Sequence, residues 1–231
     1  MKLITSTCTL MAVVILHITS IAVADTPINV NMCKATPTST KSIACKVGTI
    51  GPGGGYIFFV DYNNQYPGFT YLEAAPTDAG VPDTSYNWCD NGADSIYSPA
   101  LTTTEYWSIK GVGKGASNTT EMLKKCAEGA AVLADVYTTV SKSDWFLPSI
   151  GELKLMYNNL TEAGVGGFSH FPGVSPSFAS GEVSYWSSSE AKSNHAWNQK
   201  FYDGTQYFNY KIRPTPTTLN YPYFVRPIRA F

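Results

Sequence analysis

Four cations, Lys192, Lys200, Lys211 and Arg213, fall on strand-like runs near the C-terminal end of the chain, with Trp197 among them. Ammonium and guanidinium groups meet sulfate or carboxylate, and an indole ring can stack on a sugar face, so this set suits an anionic glycan. Arg226 and Arg229 sit in a terminal strand and are expected to pair with buried carboxylates instead. Catalytic chemistry has thinner support. His170 and His195 are the histidines beyond the leader, no Gly-x-Ser-x-Gly elbow or zinc-binding histidine pair is present, and Ser187-Ser188-Ser189 reads as strand. Glu73 and Glu190 are the carboxylates that could serve a glycosidase-like mechanism, whose pairs are assembled in space. Asp78, Asp83, Asp90, Asn91 and Asp94 offer oxygen ligands for calcium, but not at EF-hand spacing. The expectation is a non-enzyme without metal or cofactor.

The charge is unevenly distributed. Residues 47–109 hold Asp61, Glu73, Asp78, Asp83, Asp90, Asp94 and Glu105 and no Lys or Arg, whereas residues 191–231 hold Lys192, Lys200, Lys211, Arg213, Arg226 and Arg229 against Asp203 alone. Such a domain could dock a polyanion at its basic end. The chain as a whole is close to neutral, with 16 Lys+Arg against 17 Asp+Glu, and no nucleic-acid partner is expected. Charged residues are 14% and aromatics 13%, a balance nearer to that of an extracellular, strand-rich protein than of a helical cytosolic enzyme.

Residues 1–24 read as a signal peptide: Lys2, an apolar run from Leu10 to Leu16, and Ala22-Val23-Ala24 before the cut. The apolar run is shorter than the roughly 20 residues of a spanning helix, so the mature chain is expected to be exported, with no membrane span. Cys33, Cys45, Cys89 and Cys126 then remain, an even number that implies two disulfides in an exported chain. Three pairings are open. Proximity favours Cys33 with Cys45 and Cys89 with Cys126.

The elements that must position these residues are legible in part. Residues 25–46 form a Thr/Ser/Pro-rich leader, and the domain occupies 47–231. Gly51-Pro52-Gly53-Gly54-Gly55 is a turn leading into a strand, Tyr56 to Val60. It lacks the lysine and the following helix of a phosphate loop. Phe69 to Ala74 is a second strand, and residues 76–108 are long loops with isolated aromatics at Trp88, Tyr97 and Trp107. Asn118 with Glu121 caps one helix reaching about Val140, and Ser149 with Glu152 forms the capping box of another, whose Leu153, Met156, Tyr157 and Leu160 face inward, with Trp145, Phe146 and Leu147 as their floor. Strand-like runs follow at Val183–Ser189, Ala196–Tyr202, Gln206–Ile212 and Tyr223–Arg229, with a hairpin turn at Asp203-Gly204. The terminal strand is expected beside Tyr56 to Val60. The class is α+β: a twisted antiparallel sheet, two helices and long loops.

Several segments, in order from Val47 to Phe231, resemble the Lcl C-terminal domain family, named after a collagen-like adhesin of Legionella. They are Ile50-Gly51-Pro52-Gly53-Gly54-Gly55 with Phe58 to Asp61, Leu72-Glu73-Ala74-Ala75-Pro76, Gly113-Lys114-Gly115 with Asn118-Thr119, Asp144-Trp145-Phe146-Leu147-Pro148-Ser149 with Glu152-Leu153, Tyr185-Trp186-Ser187-Ser188-Ser189-Glu190, Ala196-Trp197, and Val225-Arg226-Pro227-Ile228-Arg229-Ala230-Phe231. The resemblance implies a C-type-lectin-like fold and an adhesin-like role toward sulfated glycosaminoglycans. Leu147-Pro148-Ser149-x-x-Glu152 is also similar to a pattern of formylglycine-generating-enzyme-like domains. The chain carries no Gly-x-y collagen repeat, no Glu-Pro-Asn or Gln-Pro-Asp calcium-sugar triplet, and no copper-binding cysteine pair. The expected function is therefore an exported, non-catalytic domain that binds glycans on a host or cell surface. A protein-interaction or structural module of the envelope is the alternative, and a carboxylate-dependent hydrolase comes third.

Overall fold

Gly51 to Gly55 folds back on itself, with Gly51 N–H donating to Gly55 O at 2.8 Å and Gly54 N–H to Gly51 O at 3.0 Å. The computed structural model describes residues 45–80, 86–90, 96, 111–139, 142–161, 163–168, 184–212 and 223–231. The signal segment, the leader to residue 44 and most of the loops at 81–110 lie outside them. From the glycine turn the chain enters β1 (Tyr56–Val60), whose aromatic and β-branched residues favour a pleated, half-buried surface. β1 pairs antiparallel with β2 (Tyr71–Ala74), buried along its whole length.

The last strand does not lie beside β1 as expected. β2 sits between them, and β7 (Ile228–Ala230) pairs with β2 through Leu72 with Ala230, Glu73 with Arg229 and Ala74 with Ile228. The expected run Tyr223–Arg229 is also two strands. β6 (Tyr223–Phe224) runs parallel to β3 (Ser184–Lys192) in a second sheet, ordered β5-β4-β3-β6, with β4 (His195–Lys200) and β5 (Gln206–Tyr210) antiparallel. Pro227 has no N–H to give a ladder, and the chain changes sheets across Val225-Arg226-Pro227. The outcome is a mixed α+β structure with two mostly antiparallel sheets.

Among the described residues three short helices stand where two were predicted. α1 (Gly115–Leu123) starts at Lys114, and Asn118 lies inside it, buried, donating to Ser188 Oγ at 3.1 Å instead of capping. The predicted continuation to Val140 breaks before α2 (Ala130–Asp135). Gly129 there has a φ of 116°, and a β-carbon on it would stand 2.7 Å from Trp88 O. The disulfide between Cys89 and Cys126 fixes the same corner. Cys45 is also disulfide-bonded and buried, and Cys33, its expected partner, lies outside the described residues.

α3 (Ile150–Met156) carries the predicted capping box: Ser149 Oγ accepts from Glu152 N, and Glu152 Oε2 accepts from Ser149 N. A single wider turn, Tyr157–Thr161, extends it. Its inward face packs on Phe58, Leu72, Tyr185, Phe201, Phe224 and Ile228, so the sheets form its floor, with Phe146 at the margin. Leu147 belongs to a separate core with Trp88, Met122, Trp186 and Val225, and Trp145 meets Tyr137 edge-on.

The two ends of the domain are joined through one carboxylate. Glu73 Oε1 accepts from Gly55 N at 2.7 Å and from Gly53 N at 2.9 Å, while Oε2 faces Arg229 Nη1 at 3.2 Å. Arg229 also holds Asp144 through two bonds of 2.8 Å. Removing one member of a buried pair leaves the other charge uncompensated. Arg229→Met is therefore expected to lower unfolding stability by about 3 kcal/mol in urea titration. The acid limb should change too. The guanidinium holds Asp144 below its ordinary carboxylate range, so its contribution is present above that range and is lost as pH falls through the depressed value. In the variant that part of the acid dependence disappears.

Candidate functional site

The β4–β5 hairpin positions the residues singled out for ligand binding. β4 and β5 are in strict register, His195 opposite Tyr210, Trp197 opposite Phe208 and Gln199 opposite Gln206, so these six side chains share one face. At the α3 end of that face Gln206 Nε2 donates to Ile150 O at 3.1 Å and to Gln199 Oε1 at 2.9 Å. Trp197, in the middle, packs partly on the core. Beyond it the face emerges into solvent: Phe208 is 43% and Tyr210 56% exposed. The rings are ordered among themselves, Trp197 edge-on to Phe208 at 5.4 Å, His195 edge-on to Phe208 at 5.7 Å and tilted over Tyr210 at 4.2 Å.

Two of the predicted cations join the hairpin. The Lys192 ammonium lies 5.1 Å from the centre of the Phe208 ring, and that of Lys200 lies 4.5 Å from Tyr207 on the opposite face. Lys211 does not join them. It is completely buried, ion-paired with Glu190 and set over the Trp88 ring at 4.8 Å, so it is no part of a surface cluster. Arg213 lies outside the described residues. His195 is held below its ordinary pKa by burial and by its neighbours Lys192 and Lys211. Near neutral pH it is an uncharged ring, and Lys192 is the cation of this face among the described residues.

The carboxylates proposed for hydrolysis are not brought together. Glu73 stands in the first sheet with the glycine turn and Arg229, and Glu190 stands in the second with Lys211 and the Ile96 amide at 2.9 Å. Each is held in a buried ion pair, Glu73 with Arg229 and Glu190 with Lys211. Of the calcium candidates, Asp78 touches Arg226 Nε at 2.5 Å and accepts from Tyr185 OH at 3.1 Å. The Asp78–Arg226 approach is close but poorly aligned for a hydrogen bond, so it acts as a charge contact. Burial lifts the Asp78 carboxyl above its usual range against the pull of that guanidinium. Asp90 accepts from Ala127 N, and Asp83, Asn91 and Asp94 lie outside the described residues. Among the described residues Cys89, Asp90 and Cys126 group donor atoms within 4.8 Å, and both sulfurs are in the disulfide.

The serines are framework. Ser187 Oγ donates to Trp197 O, Ser188 N–H to Pro148 O, and Ser189 Oγ accepts from Ile150 N. His170 lies outside the described residues.

Glu152 is the buried carboxylate whose second role the sequence did not show. Besides closing the capping box, its Oε1 accepts from Gly113 N at 2.8 Å and Gly115 N at 3.4 Å, tying α3 to the start of α1. Gly113 has a φ of 83°. Burial pushes the Glu152 carboxyl up to about 7, against the pull of these amides. It is sealed from solvent, which makes it a latch. Comparison with protein-family models finds no match, and comparison with curated proteins finds none.

Two outcomes follow from these placements. Between the ordinary value of 4.5 and about 7 the unfolded chain releases the Glu152 proton while the folded chain keeps it. Stability should therefore fall as pH rises across this window, by on the order of 3 kcal/mol, and Glu152→Gln should flatten that slope in urea titrations at several pH values. Separately, Lys211→Ala should lower stability by about 3 kcal/mol, whereas Lys192→Ala should change it by no more than about 0.5 kcal/mol. Thermal unfolding of the pair separates the buried lysine from the surface one.

Proposed function

We propose that this chain is an exported, non-catalytic recognition domain that binds glycans through the exposed aromatic face of the β4–β5 hairpin, with anionic glycans favoured by Lys192. The observation that carries this reading is the aromatic row His195, Trp197, Phe208 and Tyr210, exposed at Phe208 and Tyr210, with a lysine ammonium over Phe208. Rings held edge-on or tilted to one another present flat apolar surfaces without collapsing into the core, and sugar faces stack on such surfaces. The ammonium beside them adds attraction for sulfate or carboxylate. Lys200 over Tyr207 offers a second pairing of the same kind on the other face.

The resemblance of the chain to the Lcl C-terminal domain family supports the same reading and, with it, a C-type-lectin-like fold and an adhesin-like role. The buried Cys89–Cys126 disulfide suits an oxidising compartment, as export would provide. Exposed aromatics are also frequent anchors of protein interfaces, which keeps the envelope protein-interaction module as the second reading.

Binding of the mature chain to heparin and to uncharged glycans at low and high salt tests the proposal. Tyr210→Ala is expected to weaken both classes about fivefold, the equivalent of roughly 1 kcal/mol of lost stacking. Lys192→Ala should weaken heparin alone and reduce its salt dependence, because an exposed ion pair is screened as ionic strength rises. Heparin binding by the intact chain should stay level from pH 8 to 7, since His195 titrates below its ordinary value. Failure of the intact chain to bind either class would overturn the glycan reading and favour the protein-interaction one.

A further inference from the structure

β5 is the outer strand of the second sheet, and its register shows which of its backbone groups are in use. Lys200 N–H donates to Thr205 O at 2.9 Å and Lys211 N–H to Asn194 O at 3.0 Å. Hydrogen-bonded and non-bonded pairs alternate along an antiparallel ladder. With the pairing of His195 to Tyr210 and Gln199 to Gln206, the amides and carbonyls of Tyr207 and Asn209 therefore face β4. Those of Gln206, Phe208 and Tyr210 face outward, and among the described residues none of these outward groups has a backbone partner. The free edge ends just past Tyr210, where Lys211 O accepts from Trp88 N at 2.8 Å.

Soluble proteins protect a strand edge with charge, proline, a bulge or a covering loop. β5 has the sequence Gln206-Tyr207-Phe208-Asn209-Tyr210, without a charged residue or proline, and its ladder with β4 has no bulge. Tyr207, Phe208 and Tyr210 are 46%, 43% and 56% exposed. We infer that β5 pairs antiparallel with β5 of a second copy of this chain, across a two-fold axis at Phe208.

The strand is complementary to itself about that centre. Phe208 meets its own copy, Tyr207 stands opposite Asn209, and Gln206 opposite Tyr210, so each phenol faces an amide and ring faces ring. Within β5 itself no like charges are opposed. The outward groups of Gln206, Phe208 and Tyr210 then form about six inter-chain hydrogen bonds. A two-fold axis perpendicular to the sheet keeps each face on its own side, so the rows from His195 to Tyr210 in the two copies become neighbours on one surface. The pairing itself does not depend on what that surface binds.

Sedimentation equilibrium of the mature chain from low to high micromolar concentration tests the inference. The expected result is a monomer–dimer equilibrium, with the Gln206, Phe208 and Tyr210 amides exchanging more slowly as concentration rises. Phe208→Pro removes an N–H that points outward and leaves the β4 ladder its bonds. It deletes two inter-chain bonds and should weaken association about tenfold or more. Phe208→Lys, which opposes two like charges at the axis, should do the same if the proline variant fails to fold. Tyr202→Lys, exposed but outside β5, should leave the dimer intact. A chain that stays monomeric throughout, a trimer, or a dimer that Phe208→Lys leaves equally tight would overturn the inference.

Discussion

The Glu73 carboxylate is the constraint on which the first sheet depends. It sits at the middle of β2, buried completely, and a bare carboxylate there would carry a desolvation penalty of several kcal/mol. The chain offsets it with the amides of Gly53 and Gly55 and the guanidinium of Arg229. These donors come from the start of the domain and from its last strand, so satisfying one charge fixes both ends against β2. The glycines are required by this closeness: a β-carbon on Gly53 would lie 2.9 Å from Glu73 Oε1, and one on Gly55 would lie 1.8 Å from Ala74 O. The turn is an anion cradle after all, and its anion belongs to the chain itself.

The same logic accounts for the uneven charge along the sequence. An acidic stretch at 47–109 and a basic one at 191–231 suggest an electrically polar surface, yet Glu73 pairs with Arg229 and Asp78 with Arg226, each across the whole domain. Glu190 takes up Lys211 within the second sheet. The asymmetry thus records which strands meet in space, more than what the surface presents. Lys192 and Lys200 stand apart from these pairs, and both lie over aromatic rings of β5. The chemistry of the hairpin shifts accordingly, from a cluster of cations to rings with a lysine beside them.

Local signals carried much of the architecture. Ser149 and Glu152, the Asp203-Gly204 turn, β1, and the three strands from Ser184 to Tyr210 all follow from patterns a few residues long, and the structure contains each of them. The misreadings lie where a distant partner decides. Asn118 has the type and spacing of a cap, but Ser188 takes its amide, and the helix starts earlier at Gly115. The single helix to Val140 fails at Gly129, whose conformation answers to Trp88. The division of the terminal strand between two sheets and the insertion of β2 beside β7 depend on pairings that no local pattern encodes. Glu152 was legible as a cap and illegible as a latch, because Gly113 and Gly115 are far from it in sequence.

The candidate site was half visible for the same reason. Trp197 and Lys192 could be chosen from residue type, but their companions Phe208 and Tyr210 read as ordinary strand residues until the register placed them on one face with His195. What distinguishes them is that burial stops short. Along that face the α3 end is covered, through Gln206 and Ile150, and the other end is not. A strand that needed only to complete the core would carry polar residues where it leaves the cover of α3, and β5 carries aromatics on both faces there together with an edge that has no partner strand among the described residues. Exposed rings and a bare ladder each add a risk of aggregation. Their coincidence on one five-residue strand is the physical ground of the proposed recognition role of this hairpin, whose opposite margin is secured to the core through β3.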